Sequence, residues 1–385
     1  MKTTTRMAVM AALLALTAGT ARAQLNGSGY YRVLNAETQR YLTVTNDNLG
    51  TSMAAAFTAL VTVRGFDEIV DDPASILYLR NVSGDQYDLV AQGADSNELT
   101  GGYHFYITPN GDGTYKAYAR YLTFVEYLGD NVKEGSTKSQ ADTDGTAQNW
   151  YILPLSLNAN QYFGFKPSCQ DRTDKYYTTC YASFPITLAD NGLKAYYVDQ
   201  IKGDYALMRE IQGTIPAATP VIIKLKSRNT AENRISVPKT SPEAISDNIL
   251  KGTYFDKTSN ANPNFVQFDS KTMRLIGITD EGKVGFTTSQ RYRVEANTAY
   301  LPVPEGSPTA LTLITHEDYE AQFGPTTSDG DVNGDGKVNV GDIMAVINYM
   351  AGQTTGISKQ KADVNGDNAV NVGDIMAIIN SMASK

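Results

Sequence analysis

Apolar and polar positions alternate in short runs over most of the chain, and Gly, Pro and Asn bound the runs. Tyr30-Tyr31-Arg32-Val33-Leu34-Asn35 and Tyr41-Leu42-Thr43-Val44 flank a polar turn, Ala36-Glu37-Thr38-Gln39. Two such runs about a short turn predict a β-hairpin. Ile76 to Asn81 followed by Tyr87 to Val90 repeats the plan, Tyr115 to Tyr127 adds strand pattern, and Gln148 to Leu153 closes the stretch. Strand pairs recurring at intervals of about 40 residues predict an internally repeated all-β unit over 24–157. Further runs follow over 158–322, among them Ala195 to Val198, Ala206 to Met208, Val221 to Leu225 and Ala299 to Val303. Their spacing predicts a β-sandwich. Residues 323–330, FGPTTSDG, are short, polar and turn-rich, and read as a linker.

After Asp331 the period changes. Asp331 opens DVNGDGKVNVGDIMAVINYMA and Asp363 opens DVNGDNAVNVGDIMAIINSMA, two copies identical at 17 of 21 positions and starting 32 residues apart. Ile343, Val346, Ile347 and Met350 lie at i, i+3, i+4 and i+7, and Ile375, Ile378, Ile379 and Met382 match them. Each set predicts one helix with a single apolar stripe, and two facing stripes make a minimal core. Met344, Met350, Met376 and Met382 read as core filling.

The residues ahead of each helix carry the chemistry. Calcium takes six to eight oxygen ligands at flexible distances. In the first loop Asp331, Asn333 and Asp335 stand at positions 1, 3 and 5, Lys337 offers its main-chain carbonyl at 7, Asn339 stands at 9 and Asp342 at 12. Asp363, Asn365, Asp367, Ala369, Asn371 and Asp374 repeat the order, so two calcium ions are expected. Three carboxylates per loop repel one another until a divalent cation joins them. Position 6 needs a sharp turn; Gly336 supplies it in the first copy and Asn368 stands in for glycine in the second.

Composition narrows the remaining readings. Lys2 and Arg6, an apolar run from Met7 to Ala18 and the small-x-small Ala21-Arg22-Ala23 form a secretory signal peptide over 1–23. The run is shorter than the roughly 20 residues a transmembrane helix needs. Export points to a secreted or cell-surface protein, with the periplasm as an alternative. Removing Lys2, Arg6 and Arg22 takes the formal charge from −8 to −11, which argues against nucleic acid as a partner. Cys169 and Cys180 are the two cysteines, and in an oxidising compartment they read as a disulfide closing a small loop, with two free thiols as the alternative.

Three resemblances add to this reading. YYRVLNAETQRYLTV with the closing Gln148-x-Trp150 resembles the ricin-type β-trefoil, in which the Gln-x-Trp is mainly a core element. TTCYASFPITLADNGLKAYYV, TIPAATPVIIKL and VEANTAYLPV together resemble a β domain of secreted and surface proteins of Bacteroidetes-type bacteria. The segment 331–385 resembles a type I dockerin, a module with paired F-hand calcium loops that docks onto a cohesin. Many clostridial dockerins carry Ser-Thr at loop positions 10 and 11, where this chain has Val340-Gly341 and Val372-Gly373. The expected fold class is therefore mainly β: a β-trefoil-like domain, a β-sandwich and a small helical C-terminal dockerin.

The resemblances imply a non-catalytic, exported modular protein that docks onto a cohesin-type partner and binds carbohydrate in a polysaccharide-degradation system. A glycoside hydrolase is the alternative and a surface adhesin the further one. A hydrolase needs two carboxylates about 5–10 Å apart across a sugar. No motif marks such a pair; Asp67-Glu68 and Asp71-Asp72 read as solvated charge in a polar loop.

Overall fold

The computed structural model describes residues 25, 27–44, 61–91, 104–121, 123–130, 137–141, 147–158, 160–188, 192–255, 266–323, 330–353, 357–367 and 369–383. The expected signal peptide, the linker after Phe323 and the turn at Asn368 lie outside them. The chain forms two compact units, Met1–Leu313 and Ile314–Lys385. No helix among the described residues is long and apolar enough to cross a membrane.

The first unit begins with strands β1 (Gly29–Asn35), β2 (Tyr41–Val44), β3 (Val61–Arg64), β4 (Leu77–Ser83), β5 (Gln86–Val90), β6 (Phe105–Pro109), β7 (Tyr115–Tyr121), β8 (Phe124–Asp130), β9 (Thr137–Ala141) and β10 (Trp150–Pro154). The pairing β1–β4–β5–β6–β7–β10 returns to β1, so six strands close a barrel. The hairpins β2–β3 and β8–β9 extend from it. A closed six-strand barrel with projecting hairpins is the β-trefoil plan, and the hairpins foreseen at 30–44 and 76–90 are both present.

Alternation decides what faces inward. Val33, Leu79, Tyr87, Leu89, Phe105, Ile107, Tyr115, Ala117, Leu128, Trp150 and Ile152 fill the barrel. Trp150 is 1% exposed and its indole N–H donates to the Leu128 carbonyl at 2.8 Å, so the Gln-x-Trp tryptophan is a core element. Arg32, also buried, donates to the Ile69 and Val70 carbonyls, and burial pushes its guanidinium down to about 10.

Strands β11 (Phe163–Gly164), β12 (Cys169–Gln170), β13 (Tyr176–Cys180), β14 (Ile186–Leu188), β15 (Lys194–Lys202), β16 (Tyr205–Glu210) and β17 (Thr214–Ile215) follow. The unit is completed by β18 (Val221–Leu225), β19 (Arg234–Ser236), β20 (Lys251–Thr253), β21 (Met273–Ile278), β22 (Val284–Thr287), β23 (Thr298–Pro302) and β24 (Ala310–Thr315). They make a four-stranded sheet, β11-β19-β14-β17, and a ten-stranded sheet, β12-β13-β18-β15-β16-β24-β22-β21-β23-β20. Phe163, Ile186, Ile215 and Ile235 of the small sheet pack on Ala195, Val221, Ile223 and Leu225 of the large one, as in a sandwich. The large sheet also curls on itself, because the Ala299 N–H reaches the Thr179 hydroxyl at 3.2 Å and the Tyr181 N–H reaches the Asn297 carbonyl at 2.9 Å. The curl encloses Val198, Ile222, Phe286, Leu301 and Leu311.

The expected Cys169–Cys180 disulfide is corrected: both thiols are free. Cys169 pairs with Tyr177 and therefore shares its face of the sheet, against the Val198–Phe286 core. Cys180 lies three residues beyond Tyr177, an odd offset that sends it to the opposite face and the other core. A bond would have to pass through the sheet. Burial pushes both thiols up to about 12, with Asp171 adding to the rise at Cys169.

The second unit holds α2 (His316–Phe323), α3 (Val340–Met350), α4 (Lys359–Ala362) and α5 (Val372–Ala383); α1 (Phe66–Ile69) belongs to the first unit. Helix α2 extends over residues read from sequence as the end of the β domain and the start of the linker. The repeat-derived stripes are partly corrected. Val346 and Ile378 are wholly buried, and Ile343, Ile375 and Met382 pack half-buried against them. Ile347, Met350 and Ile379 are exposed, and so are Met344 and Met376, which do not fill the core. Helix α3 meets α5 and the short α4, and the arc these neighbours cover is narrower than an i, i+3, i+4, i+7 stripe. Val332, Val338, Val364 and Val370 from the loops supply the remaining core.

Candidate metal centre

Local hydrogen bonding shapes each loop. The Asp331 carboxylate accepts from the backbone N–H groups of Gly334, Asp335 and Gly336 at 2.8, 3.0 and 2.8 Å. Asn333 Oδ1 accepts from the Asp335 N–H, and Asp335 Oδ1 from the Lys337 N–H, both at 2.9 Å. Asp342 reaches back from the first turn of α3. Its Oδ1 accepts from the Asn333 N–H at 3.0 Å and its Oδ2 from the Asn339 N–H at 2.9 Å. Asn339 caps α3 by accepting from the Gly341 N–H at 2.6 Å, so Asn339 and Asp342 also form a capping box.

The second loop repeats the pattern. Asp363 and Asn365 accept from the Asp367 N–H at 3.1 and 3.0 Å, Asp367 from the Ala369 N–H at 2.9 Å, and Asn371 from the Gly373 N–H at 2.6 Å. Asp374 accepts from the Asn365 and Asn371 N–H groups at 3.1 and 2.8 Å. The Ala369 N–H bond is the main reason the Asp367 carboxyl lies below the ordinary aspartate range, with the Asn365 side chain adding to it.

Asp342 and Asp374 are 0% exposed, and neither has an ion pair among the described residues. A buried carboxylate without a counter-charge calls for strong donors or a cation. The rest of the donor set is oxygen as well: carboxylates, carboxamides and the main-chain carbonyls of Lys337 and Ala369. Such a set suits a hard divalent ion and not zinc or copper. Among the described residues no three His, Cys, Asp or Glu side chains already converge as a metal cluster. Instead the loop carboxylates turn onto their own backbone amides.

Several residues at these sites carried no weight in the sequence reading. Gly334 and Gly366, at position 4, adopt φ of +76° and +74°, a region L side chains rarely enter. Gly341 and Gly373 leave room for the loop amides: a Cβ at Gly373 would lie 2.7 Å from Asn365 Nδ2. Their occurrence in both copies was the available signal. Asp67 and Glu68 prove to lie in α1, Asp71 pairs with Lys166 at 3.0 Å, and Asp72 accepts from the Ala74 N–H at 2.9 Å to cap a 3₁₀ turn. Burial raises the Asp72 carboxyl.

Residues 329–383 match the family model described as the dockerin type I domain. The C-terminal helical segment with its paired loops is thus a dockerin domain, in a chain whose other described residues are mostly β. No curated protein matches the chain. Among solved structures, the designed three-fold symmetric protein ThreeFoil is similar over 33% of this chain and 99% of its own, at 16% identity and a TM-score of 0.24. A mosquitocidal holotoxin is similar over 74% of this chain and 34% of its own, at 8% identity and a TM-score of 0.21. Scores this low leave the fold to be read from the strand pairing itself.

Proposed function

We propose that the chain is an exported, non-catalytic modular protein that binds two calcium ions in its C-terminal dockerin and docks through it onto a cohesin-type partner. The observation that carries the reading is the duplicated loop, in which the same acceptor oxygens take the same places twice. Asp331, Asn333, Asp335, the Lys337 carbonyl, Asn339 and Asp342 would hold one ion. Asp363, Asn365, Asp367, the Ala369 carbonyl, Asn371 and Asp374 would hold the other. Bound calcium supplies the positive charge that lets three carboxylates share one loop. Asp342 and Asp374 tie each loop to the start of its helix, so closing a loop also orders the helix behind it.

Val340, Met344 and Ile347 of the first copy are exposed, as are Val372, Met376 and Ile379 of the second. Large exposed apolar side chains in such a small unit mark a partner surface. Its duplication supports docking through either copy, and its apolar character supports a cohesin with an apolar face. Residues 1–23 serve as the signal peptide, 24–157 and 158–322 as the two β domains, 323–330 as the linker and 331–385 as the dockerin. Export leads to the cell surface, the medium or the periplasm. The β-trefoil-like domain binds carbohydrate, and the dockerin supports a role in a polysaccharide-degradation system.

Calorimetric titration of the full chain with calcium tests the core of this reading. Uptake of two ions, reversed by EDTA together with loss of helical circular dichroism, is expected. Absence of any heat of calcium binding refutes it.

A further inference from the structure

A row of side chains crosses the outer wall of the β-trefoil barrel. Register places Gln86 beside Tyr106, Tyr106 beside Tyr118 and Tyr118 beside Tyr127, across β5, β6, β7 and β8. Phe105, Ile107, Ala117, Ala119 and Leu128 on the same strands are buried inside, so the row faces out. Tyr106 and Tyr118 stack at 5.3 Å with an interplanar angle of 12°, and Tyr118 and Tyr127 are 5.2 Å apart. The three half-buried rings therefore span roughly 10 Å, two strand spacings. The cavity inside the barrel is about 30 Å³, on the scale of water and not of a sugar ring.

Two cations flank this row. The Arg120 guanidinium lies 4.9 Å from the centre of the Tyr106 ring and 5.5 Å from that of Tyr118. Lys116 Nζ lies 5.7 Å from the centre of the Tyr127 ring and 3.4 Å from Gln148 Oε1. Neither cation makes an ion pair among the described residues. Gln148 is 7% exposed, and its Nε2 is buried without a hydrogen-bond partner beside Lys116. Gln86 Nε2 donates to the Tyr106 hydroxyl at 2.7 Å. The β8 carboxylates, Glu126 and Asp130, stand at alternate positions to Tyr127 and so on the opposite face. Asp88, one position along β5 on the outer face, is already engaged by Arg80 and His104.

Aromatic side chains take the flat apolar face of a pyranose ring, and cations without an ion pair among the described residues take a carboxylate. We propose that this wall is a binding site for an acidic, uronate-containing oligosaccharide, with rings on Tyr106, Tyr118 and Tyr127 and carboxylates on Arg120 and Lys116. The proposal rests on the carbohydrate-binding reading above and names its site and ligand class. A platform of aromatics and cations also suits single-stranded nucleic acid. The signal-like N-terminus favours the sugar.

The test titrates the full chain, in EDTA to remove calcium bridging, with oligogalacturonate, its methyl ester, a neutral cello-oligosaccharide and a thymidine oligonucleotide. Oligogalacturonate is expected to bind at least about tenfold more tightly than its methyl ester, the loss of one charged hydrogen bond. Its affinity should fall with added salt. Arg120→Gln should weaken it by about the same factor. Lys116→Gln should do likewise, and Tyr118→Ala should abolish binding of acid and ester alike. Arg120 is exposed, so its substitution keeps the test informative if Tyr118→Ala melts early. Equal affinity for acid and ester, or tighter oligonucleotide binding through Arg120, overturns the proposal. Cello-oligosaccharide binding untouched by Tyr118→Ala overturns this site while leaving carbohydrate binding standing. Silence with every sugar overturns both.

Discussion

Asp342→Ala should remove one calcium site and most of the stability of the dockerin domain. Asp342 is fully buried and accepts two backbone N–H bonds, from Asn333 at 3.0 Å and Asn339 at 2.9 Å. A hydrogen bond to a charged group contributes about 1.5–3 kcal/mol, so losing the two costs about 3–6 kcal/mol before any metal is counted. A domain of this size rarely draws more than about 3–5 kcal/mol from its core. Val332, Ala345, Val346, Ala362 and Ile378 are its buried apolar residues among those described, a small core even by that standard. The loss is as large as what the core supplies, so the variant should lose tail helicity in EDTA at temperatures the parent tolerates. Calorimetry of the full chain should show one calcium ion instead of two. Asp374→Ala should behave the same way through Asn365 and Asn371. Two-ion binding by Asp342→Ala, with circular dichroism in EDTA matching the parent, would show that this carboxylate neither closes the loop nor caps the helix.

The single tryptophan, Trp150, lies in the barrel, so its fluorescence should stay constant while EDTA changes the far-ultraviolet signal of the tail; a shift in emission would contradict separate compact units. Gly252→Ala would set a Cβ 2.1 Å from the Tyr181 ring, which stacks on Tyr254, and should destabilise the first unit by about 1–3 kcal/mol in a denaturant melt. Cys169 and Cys180, both pushed up to about 12, should resist alkylation at pH 8 until the chain unfolds; a native mass lower by two hydrogens would instead reveal a disulfide. The Asp367 carboxyl, held below its ordinary 3.8 chiefly by the Ala369 N–H bond, stabilises the fold above that value. That contribution should vanish as pH falls through the lowered folded-state value, and an NMR titration of Asp367 with a midpoint at or above 3.8 would refute it.

Local chemistry was legible in the chain. The oxygen donors of each loop lie within twelve residues of one another, so type and spacing alone identify them. The barrel hairpins were legible for the same reason: Tyr30 to Val44 and Ile76 to Val90 each contain both strands and the turn between them. The helical stripes were read less well, because periodicity marks an apolar arc but not how much of it a neighbour covers. Val346 and Ile378 met the core, while Ile347 and Ile379, one residue on, did not.

Amino-acid order by itself determined the duplicated loops, their helices and the mainly β character of the rest, since turns, caps and alternation are short-range properties. Only the tertiary structure decided that Cys169 and Cys180 face different cores, and that Val340, Met344 and Ile347 remain outside theirs. It alone aligned Gln86, Tyr106, Tyr118 and Tyr127 in one row. Strand register and sheet face depend on pairing between distant segments, and a shift of one residue would turn each of these side chains to the other side.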